Sequence, residues 1–538
     1  PPAATCAARV QARTPIVTSA VQPPVQLFES LDAIVLMALA LLVLARRLNV
    51  PYPTLLAAAG LGFAALPFVP AIHIDPELAL ALFIAPALLH AAYHTSPRGL
   101  KRVWFPLLAL AVFAVLITTA AVTWLGWLVG GLPLAAAFAL GAIVAPPDAA
   151  ASEAVVAEAG IPRRGMLLLQ GESLLNDATA LLLFGLAVSL ATGQEVEGSP
   201  WLLAAAAPAG IVVGLLIGWL YLKVVPLFAG TLGASLADFA VTFAVWLLCE
   251  RLHISSVLAV VAFGMLVSQR RPLGQPARDR IQAAAVWSAT VLVLNVVAFL
   301  LMGLQSRDVL GRLDAGERWP AIGFAGAVLV TVVAVRFVWV FAVRWLEGAI
   351  HARWQPSWLP EPPPWQAATI LSWSGMRGLV SLAAAFALPE SFPERDRIVL
   401  AAFAVVIGTL VIQGLTLGPL IRWLALDDGG LADKVGEARR KLVDAGMKAL
   451  EGKDGDAADA LRIRYGAAGH VIEHEDDPQA PSSFDRLHLD VLERQRACLY
   501  AMRHRGEIAE DVYRRLQEEL DWSEVEAQSY EDNVLRAN

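Results

Sequence analysis

The chain has 538 residues, of which 57% are hydrophobic and only 17% are charged. Soluble domains are less apolar and about 25% charged, so this composition excludes an ordinary soluble protein and indicates one that lies in a lipid bilayer. A net charge of −7 argues against a nucleic-acid partner. The three cysteines are widely spaced, which argues against a disulfide framework or a zinc site.

Residues 1–27 precede the first apolar segment and lack the apolar core of a secretory signal sequence. We therefore expect a poorly ordered leader over 1–27, followed by a membrane domain over 28–425. A spanning helix needs about 20 mostly apolar residues, and about thirteen segments of the membrane domain meet or approach that length. The sequence thus predicts an all-α membrane protein. The predicted spans lie near 31–45, 52–70, 78–93, 103–129, 133–157, 165–191, 201–224, 234–250, 254–268, 281–304, 320–346, 366–388 and 398–425.

Basic residues are concentrated in alternate connections between these spans. Arg46, Arg98 and Arg163 lie on one side, whereas acids such as Glu195 and Glu317 lie on the other. Cytoplasmic connections of membrane proteins carry an excess of Lys and Arg. The asymmetry predicts a multi-pass protein whose N-terminus is outside and whose C-terminus is cytoplasmic.

The fifth predicted span is interrupted by a double proline at 146–147, which Asp148 follows. Proline has no backbone donor, and unsatisfied backbone at membrane depth is tolerated only where it is buried in protein or lines a cavity. Broken helices of this kind mark ion sites in transporters. Asp148 and the carbonyl of Pro147 are therefore candidate ligands. The alternative is a simple proline kink in which Asp148 only caps the second half-helix.

The sixth predicted span carries ionisable and polar residues near its middle. Ser173, Asn176 and Asp177 share one helical face, and Glu172 lies beside it. A carboxylate at the centre of a bilayer is costly, and such residues usually mark ion or proton pathways. We therefore expect Asp177 to act in transport. The alternative is a polar cluster that only packs helices together.

The seventh predicted span has Gly210, Gly214 and Gly218 at four-residue intervals. Small residues at that spacing allow helices to approach closely. The contact could be a packing face inside the chain or a dimer face.

Two arginines lie within the last predicted spans. The twelfth span is broken around 375–378, and Arg377 could there oppose the carboxylates; breaks in the fifth and twelfth spans fit inverted repeats. Arg336, in the eleventh span, needs an acidic partner, for which Glu172 is the best candidate. That pairing would leave Asp177 as the proton carrier. Among the other polar residues, His90 is either a proton relay or a residue at the membrane interface. For Asn295, an interhelical hydrogen bond is the preferred interpretation over ion binding.

Residues 426–538 are rich in charge and contain amphipathic stretches near 433–450, 484–503 and 507–525. They predict a cytoplasmic, helical tail. The tail is either a solvated appendage or a regulatory segment.

These motifs resemble the sodium/proton exchangers of the NhaP and NHE type, especially their bacterial branch with a cytoplasmic tail. The matching stretches are 145–148, 171–177, 294–303, 375–378 and 505–516. The resemblance implies a homodimer in the bacterial inner membrane that exchanges a monovalent cation, Na⁺ or alternatively K⁺, for protons. It also implies a secondary transporter, not an enzyme, and no cofactor is expected.

The resemblance implies roles for individual residues. Asp177 would bind cation and proton in turn, Asn176 would support it, and Ser173 would add a hydroxyl ligand. The ion pair of Glu172 with Arg336 would be structural. An asparagine before the essential aspartate resembles the electroneutral branch, which implies one cation for one proton.

The chain departs from the family pattern at two positions. Pro147 replaces a common threonine, whose side-chain ligand is lost, and His90 aligns with a common acid. Fewer anionic oxygens predict weaker sodium binding, because hard cations prefer oxygen ligands. A gated cation channel and a transport-dead membrane sensor therefore remain alternatives. An intramembrane hydrolase is disfavoured, since the sequence offers no Ser/His or paired-Asp arrangement.

Overall fold

The computed structural model describes residues 24–48, 50–64, 78, 80–148, 163–192, 200–228, 231, 233–270, 277–311, 316, 318–354, 356, 359, 361–424, 431–474, 483–505, 507 and 510–527. Most of the predicted leader, residues 1–23, lies outside these described residues. So do residues 65–70 of the second predicted span and 149–157 of the fifth.

Every regular element among the described residues is a helix. In the membrane domain the longer helices are α1 (Pro24–Leu48), α2 (Tyr52–Ala64), α3 (Leu80–Ile84, a π-helical turn, continuing as Ala85–His94), α4 (Trp104–Leu128), α5 (Leu134–Val144), α6 (Arg163–Thr192), α7 (Pro200–Val224), α8 (Gly233–Arg251), α9 (Ser256–Arg270), α10 (Ala277–Leu304), α11 (Arg318–Trp354), α12 (Trp365–Trp373), α13 (Leu379–Phe386) and α14 (Arg395–Leu424). Short helical segments also lie at Pro97–Arg102, Val225–Phe228 and Ser306–Gly311.

Each predicted span overlaps one of these helices, and α12 and α13 are two halves of the twelfth span. Within the described part of the chain, seven helices are long and apolar enough to cross a membrane by themselves, namely α4, α6, α7, α8, α10, α11 and α14. Helices α2, α3, α5 and α9 are apolar but shorter. The prediction of an all-α, multi-pass membrane protein is confirmed, whereas the count of thirteen spans stays a prediction.

The glycine face of α7 packs inside the chain. A Cβ atom added to Gly210 would collide with the main-chain oxygen of Ser255, and one added to Gly214 would collide with that of Ala259. Ala259 lies in α9 and Ser255 directly precedes that helix, so the missing side chains let two backbones approach closely. The intrachain interpretation of the glycine repeat is the one that the structure supports.

The buried apolar residues form two large clusters that meet at α6. The first cluster unites α4, α5, the second half of α10, and α11 to α14, and includes Leu168 and Leu169 of α6. The second unites α3, α7, α8, α9 and the first half of α10, and includes Leu174 and Ala178 of α6. The helix that carries Asp177 therefore lies between two packed units.

The tail contains four described helices: α15 (Leu431–Ala449), α16 (Asp456–His474), α17 (Ser483–His504) and α18 (Glu510–Ala527). Three of them match the amphipathic stretches expected from the sequence. Helix α16 was not expected, because Gly466 and Gly469 interrupt its already weak apolar periodicity. Arg496 of α17 forms ion pairs with Asp521 and Glu524 of α18, which joins these two helices.

Candidate functional site

The break after α5 lies against the break between α12 and α13. Helix α5 ends at Val144, and the buried residues 145–147 that follow are not helical. The main-chain N–H of Asp148 donates to the carbonyl of Met376 at 2.7 Å. Two irregular backbone segments thus cross inside the protein, which is where such backbone is tolerated at membrane depth.

Asp148 caps the second half of the other broken helix. Its carboxylate oxygen Oδ2 accepts a hydrogen bond from the main-chain N–H of Leu379, the first residue of α13, at 3.2 Å. An acid is favoured at a helix N-terminus. Gly378 is required here because a Cβ at this position would overlap the Asp148 carboxylate. The sequence singled out neither this partner nor the need for glycine, since both depend on a contact across 231 positions of chain.

Arg377 is fully buried and donates to the carbonyl groups that the break exposes. Its Nε lies 3.1 Å from the carbonyl of Val144 and its Nη2 lies 3.4 Å from that of Ala145, while Nη1 donates to Gly375. A cation is stabilised at the C-terminus of a helix, so the guanidinium fits the end of α5. The sequence predicted that this charge opposes the carboxylates. In the structure, the hydrogen bonds of its guanidinium go to carbonyl oxygens.

Thr409 holds the same segment from α14. Its hydroxyl accepts a hydrogen bond from the main-chain N–H of Arg377 at 3.0 Å and donates to the carbonyl of Val406. Thr409 begins a π-helical segment, Thr409–Gln413, and such segments often occur at functional sites. Nothing local in the sequence distinguishes this threonine from others in apolar helices.

Glu172 and Arg336 form a bidentate ion pair in the interior. Nη1 lies 2.6 Å from Oε1, and Nη2 lies 3.0 Å from Oε2. Arg336 also donates to the carbonyl of Leu371 in α12, through Nε at 3.3 Å and Nη2 at 3.1 Å. Its side chain passes over Gly375, where a Cβ would collide with it. The pair therefore ties α6, α11 and α12 together and neutralises one of the two carboxylates in α6.

Asp177 and Asn176 face the break after α5. The Asn176 amide donates through Nδ2 to the carbonyl of Pro147 at 2.8 Å, and this acceptor fixes which way the amide points. Among the described residues, the buried Oδ1 of Asn176 has no hydrogen-bond partner. Asp177 is 5% exposed and lies within electrostatic range of Asp148. Buried polar oxygens are normally bonded, so Asn176 Oδ1 indicates a place for an ion or a water.

The remaining candidate residues are Ser173, His90 and Asn295. Ser173 lies one turn before Asp177 in α6 and is half-buried. His90 lies in α3, with its ring centroid 4.4 Å from that of His94, whose Nδ1 is bonded to the carbonyl of His90 at 2.9 Å. Asn295 is half-buried in α10. The structure thus brings Asp148, Pro147, Asn176 and Asp177 together and keeps His90 beside another histidine.

Comparisons with known proteins place the chain among cation exchangers. Residues 34–423 match the family described as the transmembrane sodium/hydrogen exchanger. A Mycobacterium tuberculosis protein named as a Na⁺/H⁺ exchanger is 30% identical over 516 residues, covering 90% of this chain and 93% of the relative. A sodium, potassium, lithium and rubidium/H⁺ antiporter of Bacillus pumilus is 30% identical over 455 residues, covering 78% of this chain and 66% of the relative.

A solved structure has the same fold. The sodium proton antiporter MjNhaP1 from Methanocaldococcus jannaschii, at pH 8, superimposes with a TM-score of 0.58 and 18% sequence identity. The match covers 74% of this chain and 99% of that structure.

Proposed function

Because this chain belongs to the sodium/hydrogen exchanger family, we propose that it exchanges a monovalent cation, Na⁺ or alternatively K⁺, for protons across the bacterial inner membrane. The observation that carries the proposal is the buried carboxylate of Asp177 at the crossing of two broken helices, next to Asn176, whose buried oxygen has no hydrogen-bond partner among the residues that the structure describes. We also propose that the protein is a homodimer. In each subunit the N-terminus would lie outside and the C-terminus in the cytoplasm.

The charges support Asp177 as the ion carrier. Glu172 is bonded through both oxygens to Arg336, so its charge is already neutralised. Asp148 is engaged by the N-terminus of α13. Of the three carboxylates, Asp177 is the one whose charge a transported cation or proton would neutralise.

The proposed cation ligands are all oxygens, as a hard cation requires. Asp177 supplies the charge, Asn176 supplies Oδ1, and Ser173 and Asp148 add a hydroxyl and a second carboxylate. The carbonyl of Pro147 already accepts from Asn176, but a carbonyl has two lone pairs and one stays available. This carbonyl would replace the threonine ligand that the chain lacks.

Exchange follows from competition at Asp177. A bare carboxylate is costly in apolar surroundings, so Asp177 holds a proton when no cation is bound. Cation binding expels that proton, and either neutral form can change sides. The unloaded, charged form crosses far more slowly, which couples the two fluxes and gives one cation for one proton.

Cation flux in membrane vesicles tests the proposal. Everted vesicles carrying a proton gradient would be given Na⁺, Li⁺, K⁺ and Rb⁺ in turn, while an internal dye reports pH. The four-cation panel follows the name of the Bacillus relative. We expect at least one cation to collapse the gradient. Asp177→Asn should abolish the response, because the asparagine side chain cannot release or bind the exchanged proton.

Two alternatives define the contradicting outcomes. Cation flux that moves no protons in return, and therefore carries net charge across the membrane, would indicate a gated channel on the same fold. No response to any cation would indicate a transport-dead sensor, with Pro147 and His90 as the first positions to restore to the family pattern.

A further inference from the structure

A second, partly buried ion pair joins α6 to α11, away from the Asp177 site. Glu347 of α11 is 2% exposed, and Nη2 of Arg164 lies 3.1 Å from its Oε1 and 3.3 Å from its Oε2. Arg164 lies in the first turn of α6, where the helix dipole disfavours a cation. Its position is therefore explained by its partners and not by its own helix.

The segment 361–364 leads into α12 and reads Glu-Pro-Pro-Pro. We call it the proline strut. Prolines have a fixed φ and no N–H, and successive prolines form a stiff extended helix. Pro364 has φ −58° and ψ 155°, which is close to that conformation. The strut therefore cannot bend easily, and its carbonyls are free to accept hydrogen bonds from other segments.

Arginines from two helices supply those donors. Nη1 of Arg164 donates to the carbonyl of Glu361, while Nη2 of the same side chain holds Glu347. Nε of Arg344, in α11, donates to the carbonyl of Pro363 at 2.9 Å. Glu361 is thus held by α6 and Pro363 by α11, and Pro364 directly precedes α12.

We propose that Arg164 is a positioning residue for exchange: with Glu347 and the proline strut it clamps α6, α11 and the start of α12 into one moving body. Asp177 lies thirteen residues from Arg164 on α6, about 20 Å along the axis. The strut is the entry to α12, whose end is the break that carries Arg377. Glu172 and Arg336 join the same three helices near Leu371. Without the clamp, the beginning of α12 could still shift against α6, which would disturb the register of the crossing with Asp177.

The proposal rests on the proposed exchange activity, so the experiment includes a readout that needs no transport. Hydrogen–deuterium exchange of the purified full chain would be followed in the peptide covering 365–373. Two variants break the clamp differently: Arg164→Ala removes the donor, and Pro362→Gly/Pro363→Gly loosens the strut without changing charge. Arg98→Ala removes an exposed arginine and serves as the control.

We expect deuterium uptake at 365–373 to become several-fold faster in both clamp variants, since local opening sets that rate, and to stay unchanged in the control. In vesicles, the maximal exchange rate should fall about tenfold, because misplacing a site lowers turnover steeply. The cation KM should stay within about twofold, since the ion ligands are untouched.

A charge-reversed double variant, Arg164→Glu/Glu347→Arg, separates the ion pair from the strut contact. It restores the pair, but a glutamate cannot donate to the Glu361 carbonyl, so we expect the exchange rate to remain low. Full recovery in this variant would overturn the role of the strut. Wild-type deuterium uptake at 365–373 in both clamp variants would overturn the clamp itself. If the native chain exchanges no cation, the proposed function fails, while the deuterium measurement still decides on the clamp.

Discussion

Replacing Arg336 with alanine should destabilise the protein severely. The substitution leaves the Glu172 carboxylate, 1% exposed, without the guanidinium that is bonded to it. Removing one partner of a buried ion pair costs about 3–5 kcal/mol, because an uncompensated charge stays in the interior. The midpoint of thermal unfolding in detergent should fall by many degrees, and little folded protein should reach the membrane.

A matched double variant tests whether charge or packing is responsible. Buried pairs can often be replaced by apolar residues of similar volume at little cost, so Glu172→Leu/Arg336→Met should recover much of the lost thermal stability. An Arg336→Ala protein as stable as the native chain would contradict the account of this pair. A double variant no more stable than Arg336→Ala would show that the bonds to Leu371 dominate.

Replacing Arg377 with lysine should lower the maximal exchange rate about a hundredfold, the order expected when a catalytic geometry is displaced by about 1 Å. Lysine keeps the positive charge, but its compact ammonium cannot reproduce the planar fork that reaches Val144, Ala145 and Gly375 together. The end of α5 and the carbonyl of Pro147 beside it would then lose their fixed positions.

The measurement is the initial rate of cation-driven proton movement at saturating cation, normalised to folded protein. Arg377→Met provides the comparison, because it removes both the charge and the donors. Wild-type turnover in Arg377→Lys would show that only the charge matters at the crossing. In that case the carbonyl contacts would not position the site.

The residues that the sequence could identify are those whose presence in an apolar span is costly. An ionisable group within a membrane span is costly and usually functional, which is why the sequence singles out Asp177, Glu172 and Arg336. The need to neutralise Arg336 then predicted Glu172 as its partner. The structure brings Glu172 and Arg336 together in a bidentate contact. The double proline likewise predicted the break after α5, because proline has no N–H to donate to the hydrogen bonds of a helix.

What the sequence could not supply are contacts set by packing between distant segments. Thr409 looks like any other threonine in an apolar helix until α14 is packed against the segment with Arg377. Arg164 was indistinguishable from the other basic residues at span ends, and its link to Glu347 crosses 183 positions. The reason for glycine at 378 is visible only in the structure, where a side chain at this position would overlap the Asp148 carboxylate.

The central claim is that cation and proton compete for Asp177, and cation uptake into proteoliposomes at equal pH on both sides tests it most directly. The uptake of labelled Na⁺, or of whichever cation the vesicle panel selects, would be measured across a pH series. Competition at one carboxylate predicts that the apparent cation KM rises about tenfold per pH unit on the acid side, because each bound cation displaces one proton. The maximal rate should be regained at high cation, and Asp177→Asn should show no exchange. A KM that stays constant while the maximal rate falls with acid, or exchange that persists in Asp177→Asn, would contradict the account.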